Sequence, residues 1–110
     1  MEHMRSIDSF KIPAQHPCLP GHFPGRPIVP GVVLLEFVEK IVKKYFSEWE
    51  ITELNQVKFL QPVLPEELLE LSVDSSRLES HHSTLFQLIN IKNQSRVATG
   101  KLKLTVVNKG

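Results

Sequence analysis

His22 and Glu36, separated by 14 positions, are the residues of this sequence best placed to do acid and base chemistry. The histidine sits in a stretch rich in proline and glycine, so its backbone is held by residues with little conformational freedom. The carboxylate interrupts an apolar run, between Val32-Val33-Leu34-Leu35 and Phe37-Val38. Were that end of a helix enclosed, the Glu36 carboxylate would lose its hydration, the condition for an acid that donates a proton near neutral pH. Gly31 adds a third element: at the start of a helix its N–H is free and has the positive end of the helix dipole behind it. Base, acid and oxyanion donor together suit removal of a proton next to a carbonyl with expulsion of a neighbouring hydroxyl. Each residue also has a plainer reading. His22 alone is a loop histidine bonded to nearby backbone, and Glu36 alone is a surface residue pairing with Lys40 at i,i+4, a contact of about 0.3 kcal/mol.

The elements that must position these residues can be read from spacing. Residues 5–12 alternate loosely and read as a short strand. From Pro13 to Pro30 there are six prolines and two glycines in 18 residues, which forbids regular helix. The apolar Leu19, Phe23, Ile28 and Val29 argue that this loop packs instead of acting as a linker. Residues 31–49 have helix length and composition, with Pro30 in front as a rigid lead-in. Glu36, Glu39, Lys40, Lys43, Lys44 and Ser47 form one wet stripe, and Val38, Ile41, Val42 and Tyr45 are expected to face inward. The expectation is a helix buried on all sides at its start and half exposed at its end, enclosed by a sheet or a partner chain. After Trp49 the period becomes two, giving strands over 51–60, 68–73, 84–91 and 97–107. In the last of these Leu102, Leu104 and Val106 alternate with Lys101, Lys103 and Thr105, a half-buried strand with the apolar set inward and the other face in water. One helix followed by four strands implies an α+β domain, an antiparallel sheet of about five strands on a single long helix.

Composition bounds the function. The 110 residues carry 41% hydrophobic side chains, enough for one domain over 1–110. A chain this short gains burial from a dimer partner. Thirteen basic against twelve acidic residues, a formal charge of +1, argue against nucleic acid as a partner. The lone Cys18 excludes an internal disulfide, and His16, Cys18 and His22 lack further ligands at metal spacing, so no metal is expected. Cys18 itself reads as a small packing residue, and His81-His82 as an exposed hairpin turn. The N-terminal residues have no apolar signal core, and the apolar stretch 28–35 is broken by Pro30 and Gly31. No membrane span and a cytoplasmic address are therefore expected.

The segment His22-Phe23-Pro24-Gly25-Arg26-Pro27-Ile28-Val29-Pro30-Gly31, followed by an apolar run and Glu36, resembles the active-site segment of the FabZ-type 3-hydroxyacyl-[acyl-carrier-protein] dehydratases. The family signature H-F-P-G-x-P-x-x-P-G is matched at every fixed position. Residues 57–65, Val-Lys-Phe-Leu-Gln-Pro-Val-Leu-Pro, resemble the strand and turn that follow the central helix in that family, and the likeness runs over about residues 15–107. The resemblance implies a hot-dog fold, a long helix wrapped by a curved antiparallel sheet, and a homodimer with shared active sites, open to higher assembly. It implies that His22 is the catalytic histidine, that Glu36 of the other chain is the catalytic acid, and that the Gly31 N–H polarises the thioester carbonyl. Phe23, Pro24, Gly25 and Pro30 would form the substrate loop, and no cofactor is implied. Isomerising relatives carry Asp where this chain has Glu36, which favours plain dehydration.

Two departures stand out. Relatives carry an N-terminal helix and strand before the histidine loop, where this chain has about twenty residues, and Glu66 stands where a glycine commonly follows the second proline turn. The short form suggests a specialised pathway such as polyene or polyketide synthesis rather than housekeeping fatty-acid elongation, with fatty-acid synthesis as the other option. Arg26, Lys40, Lys43, Lys44 and Lys58 are candidate contacts for an acidic acyl carrier protein or its phosphopantetheine phosphate, with acyl-coenzyme A as the other thioester source. They read equally well as solvated charges. Two rival readings are a thioesterase of the same fold, disfavoured by the proline-glycine histidine loop, and a non-catalytic acyl-binding or partner subunit, disfavoured by the presence of both His22 and Glu36.

Overall fold

The computed structural model describes residues 3–16 and 28–107. Strand β1 covers Arg5–Phe10, helix α1 Gly31–Tyr45, β2 Trp49–Phe59, β3 Leu69–Asp74, a short helix α2 Leu78–His81, β4 Ser83–Asn90 and β5 Ser95–Val106. The strands form one sheet in the order β1-β3-β4-β5-β2, antiparallel throughout. This is the hot-dog architecture, with α1 against the sheet. The one element not anticipated is α2, a four-residue turn of helix in the β3–β4 connection. There His81 and His82 are exposed as expected, but His82 takes a left-handed cap conformation and its ring meets Trp49 edge-on at 5.3 Å.

Helix α1 forms because apolar residues recur at Val33/Leu34, Val38 and Ile41/Val42, an i, i+4, i+8 stripe, and all five are buried. Pro30 precedes it in an extended conformation and its carbonyl accepts from the N–H groups of Val33 and Leu34. Lys43 and Lys44 lie in the last turn, where cations complement the carbonyl end of the dipole. The helix ends at Tyr45, four residues before the expected limit. Phe46 leaves helical geometry while its N–H still reaches Val42 O at 2.8 Å, and Trp49 then joins the sheet opposite Val106. Strand pairing thus takes the last turn that the sequence pattern assigned to the helix.

The inner sheet face is built from Leu69, Leu71 and Val73 of β3, Phe86 and Leu88 of β4, and Ala98, Leu102 and Leu104 of β5, all buried with the helix stripe. Burying a ring such as Phe86 is worth about 2–3 kcal/mol. Gly100 lies opposite Phe86 across the β4–β5 ladder, and the ring lies over it: a Cβ there would sit 2.7 Å from Cζ. A larger residue in the strand would therefore displace the ring.

Three expectations are corrected. Tyr45 is 47% exposed and Val106 54% exposed, because both lie where their elements run past the core. The start of α1 is not buried on all sides: Val32 is 62% exposed, Ile28 just before it 54%, and Glu36 is exposed. The chain's own sheet covers only one face of that end.

The connection from β2 to β3 contains a tight turn, Leu64-Pro65-Glu66-Glu67, closed by Glu67 N–H to Leu64 O at 3.4 Å. Glu66, the third residue, has φ of 68°, the left-handed conformation that a type II turn requires at that position and glycine adopts freely. A non-glycine residue bears a cost of about 1 kcal/mol there. The Glu66 side chain offsets it with contacts that a glycine cannot make. Its carboxylate accepts from Ala14 N–H at 2.8 Å and pairs with Lys11 Nζ at 3.2 Å. The backbone N–H, which any residue would supply, donates to Ile12 O at 2.8 Å.

Candidate active site

Of the sequence-derived site, His22, Phe23, Pro24, Gly25 and Arg26 lie outside the described residues, as does Cys18. Gly31, Pro30 and Glu36 lie within them. Pro30, as a proline, has no N–H, so the helix presents its first donors at Gly31 and Val32, ahead of the two that fold back onto Pro30 O. Gly31 is close-packed: a Cβ there would lie 2.6 Å from Cζ of Phe59, so glycine lets the end of β2 approach the helix N-terminus.

Glu36 follows Gly31 by five residues, a rotation of about 140° around the helix and an axial rise of about 7.5 Å. The Gly31 N–H points along the axis beyond the helix N-terminus, whereas the exposed Glu36 side chain stands on the flank of α1. The i,i+4 ion pair with Lys40 does not form among the described residues; Lys40 Nζ instead lies over the Phe37 ring, 5.5 Å from its centroid. Phe37 in turn stacks on Phe10 of β1 at 5.2 Å, with the His16 ring 6.3 Å away. Lys43 and Lys44 are exposed on the same outward stripe as Lys40, with Lys44 Nζ 5.5 Å from the centroid of the Tyr45 ring, and Lys58 is exposed on β2.

An open groove of about 570 Å³ runs beside the helix N-terminus, between Ile28, Val32, the β2 end at Phe59 and the following Leu60 and Val63. Its walls are mostly apolar, with Gln61 among them, and Gly31 forms part of the lining. Among the described residues no group of three or more His, Cys, Asp or Glu is arranged to hold a metal ion, and no helix is long and apolar enough to cross a membrane.

Both sides of the His22 segment are fastened to residues 63–66, the start of the β2–β3 turn and the residue ahead of it. Before it, Ile12 and Ala14 are bonded to Glu66; after it, Val29 N–H donates to Val63 O at 2.8 Å. The contact of Glu66 with Ala14 spans 52 positions, and the sequence held only one sign of it, a non-glycine residue where the proline turn calls for glycine.

Residues 2–101 match the ApeI-like family, described as ApeI dehydratase. The chain belongs to the ApeI-like dehydratases. Relatives of this ApeI-like chain include the 3-hydroxyacyl-[acyl-carrier-protein] dehydratase FabZ of Mannheimia succiniciproducens, 38% identical over 57% of this chain and 48% of that protein. FabZ of Chlamydia trachomatis serovar L2 is 30% identical over 96% of this chain and 75% of that protein. The chain thus spans about half the length of the first of these relatives and three quarters of the second. Among solved structures, the dehydratase heterocomplex ApeI:P from Xenorhabdus doucetiae is similar with a TM-score of 0.74 and 25% identity, over 94% of this chain and 88% of that one. The (R)-hydratase from A. caviae involved in PHA biosynthesis shares the fold, with a TM-score of 0.69 and 13% identity over 94% of each chain.

Proposed function

We propose that the chain is a hydro-lyase that converts a 3-hydroxyacyl thioester, carried on acyl carrier protein, to the trans-2-enoyl thioester and water. The observation that carries this reading is the unbroken run from His22 to Gly31 followed by Glu36, in a chain of the ApeI-like dehydratase family. His22 takes the proton from C2, and the electron pair of that C–H bond forms the C2–C3 double bond. The C3–O bond breaks and the hydroxyl leaves as water with the proton from Glu36. The Gly31 N–H, at the positive end of α1, stabilises the enolate charge on the thioester oxygen during the transfer. No cofactor takes part in this scheme. In line with the resemblance to the FabZ-type dehydratases, which implies a histidine and an acid from different chains, the acid is assigned to the second chain of a homodimer, with two shared sites. The apolar groove at Val32 and Phe59 suits either the acyl chain or the helix end of that second copy.

The test is hydration of a short trans-2-enoyl thioester on acyl carrier protein and on coenzyme A, read by loss of enoyl absorbance. His22→Ala and Glu36→Gln should each lower the rate by at least ~100-fold with folding unchanged. Co-refolding the two inactive variants in equal amounts should restore about a quarter of wild-type activity, since half the dimers are mixed and each mixed dimer holds one intact site. No recovery on mixing would rule out a site shared between two copies. The likeness to a heterocomplex favours a second reading, in which the partner across the site is a different chain of the same fold. In that case the chain alone would be inactive on both thioesters. Release of free thiol in place of enoyl hydration would point to a thioesterase.

A further inference from the structure

Glu66 stands at a position built for glycine and uses its side chain across the fold. The turn Leu64-Pro65-Glu66-Glu67 places it at positive φ, and glycine would satisfy the backbone at that point. The carboxylate instead reaches Ala14 N–H at 2.8 Å and Lys11 Nζ at 3.2 Å, and the backbone N–H reaches Ile12 O at 2.8 Å. Ile12 is fully buried, so this attachment is set against the core and not against a free strand end. The turn is itself fixed: Glu67 accepts from Leu64 N–H at 2.7 Å through one oxygen and from Asn90 Nδ2 at 3.2 Å through the other, and Asn90 is buried on β4. Three residues before Glu66, Val63 O holds Val29 N–H, immediately ahead of Pro30 and α1. Residues on both sides of the segment that carries His22 are therefore tied to this turn or to the residue just ahead of it, by Glu66 on the side before it and by Val63 on the side after it.

We propose that Glu66 is a positioning residue for the dehydration: its carboxylate pins Ala14 and so fixes where the chain sets out toward His22. The proposal rests on the dehydratase reading above. Glu66 touches no reacting atom in it; it acts through the backbone of residues 12–14.

The backbone conformation supplies a clean test, because loss of the clamp and relief of strain go in opposite directions. Glu66→Gly removes the carboxylate but suits the positive φ, so its thermal midpoint should equal or exceed that of wild type. Its kcat for enoyl hydration should nevertheless fall by at least ~10-fold with KM little changed, as expected when a reacting group is displaced and the acyl groove is not. Glu66→Gln keeps a side-chain oxygen for Ala14 N–H and should stay within about 3-fold of wild-type kcat. Hydrogen exchange at the Ala14 amide, followed without substrate, should be slow in wild type and Glu66→Gln and fast in Glu66→Gly. A Glu66→Gly protein that keeps wild-type kcat overturns the proposal, and so does one whose midpoint falls together with its rate. Wild type that hydrates no thioester would instead defeat the dehydratase reading. The Ala14 exchange then decides the clamp by itself, with equal rates in all three proteins overturning it.

Discussion

A carboxylate at positive φ is a residue-scale choice with a pH signature. The Glu66 carboxyl is held below the usual carboxylate range chiefly by the hydrogen bond from Ala14 N–H, and further by Lys11. Asp74 is lowered as well, by the Ser76 hydroxyl at 2.6 Å and the Ser76 N–H at 3.0 Å, which close a turn after β3. For a carboxyl whose folded-state pKa is depressed, the stabilisation is complete above the unfolded value and is lost as pH falls through the folded one. The thermal midpoint should accordingly decline as pH drops from about 5 to about 3, and Glu66→Gln should show a shallower decline because its amide does not titrate. A calorimetric series over that range checks it. Identical slopes for the two proteins would mean that the Glu66 contacts contribute nothing to folding.

At the scale of elements, two glycines set how closely strands and helix approach. Gly100 is covered by a Phe86 ring with 1% exposure, so Gly100→Ala has no open side toward which the ring can move. It should lower unfolding free energy by about 1–3 kcal/mol in a denaturant titration, and a neutral effect would contradict the packing. Gly31 meets Phe59, whose ring is half exposed and free to swing outward. Gly31→Ala should therefore cost less stability than Gly100→Ala while altering the groove beside the helix N-terminus. The early end of α1 belongs to the same scale. Helix periodicity runs on past Tyr45, but the turn at Phe46 delivers Trp49 to the β2–β5 ladder, where it also meets His82.

On the scale of the whole molecule, one group of exposed apolar residues lies around the start of α1 and the end of β2. Ile28, Val32, Phe59, Leu60 and Leu64 are all exposed and apolar, and β2, 11 residues long, is an edge of the sheet. Exposed apolar clusters and long edge strands are surfaces that proteins usually cover. Covering by a second copy would enclose the Glu36 end of α1, as the proposed two-chain site requires. Val32→Glu places a charge where the single chain has ample solvent, so the fold should be unaffected. In light scattering the variant should shift from dimer to monomer, with hydration activity falling in step at low protein concentration. A Val32→Glu protein that remains dimeric and active would remove this end of α1 from the interface.

The sequence by itself determined the five strands and the main helix, and it supplied the residues on which the proposed chemistry rests. Period-two alternation marked the strands, period 3.6 marked α1, and the proline-glycine run from His22 to Gly31 with Glu36 beyond it marked the family, because local patterns and motif residues are written in order along the chain. Boundaries, exposure and long-range ties were decided only by tertiary structure. Strand pairing ended α1 at Tyr45, the sheet covered one face of the helix and left Val32 and Glu36 outside, and Tyr45 and Val106 lay beyond the core. The clamp from Glu66 to Ala14 was likewise invisible in sequence beyond an odd residue after Pro65. Each of these depends on which distant segments become neighbours, and contacts between residues some fifty positions apart leave no periodic trace in the chain.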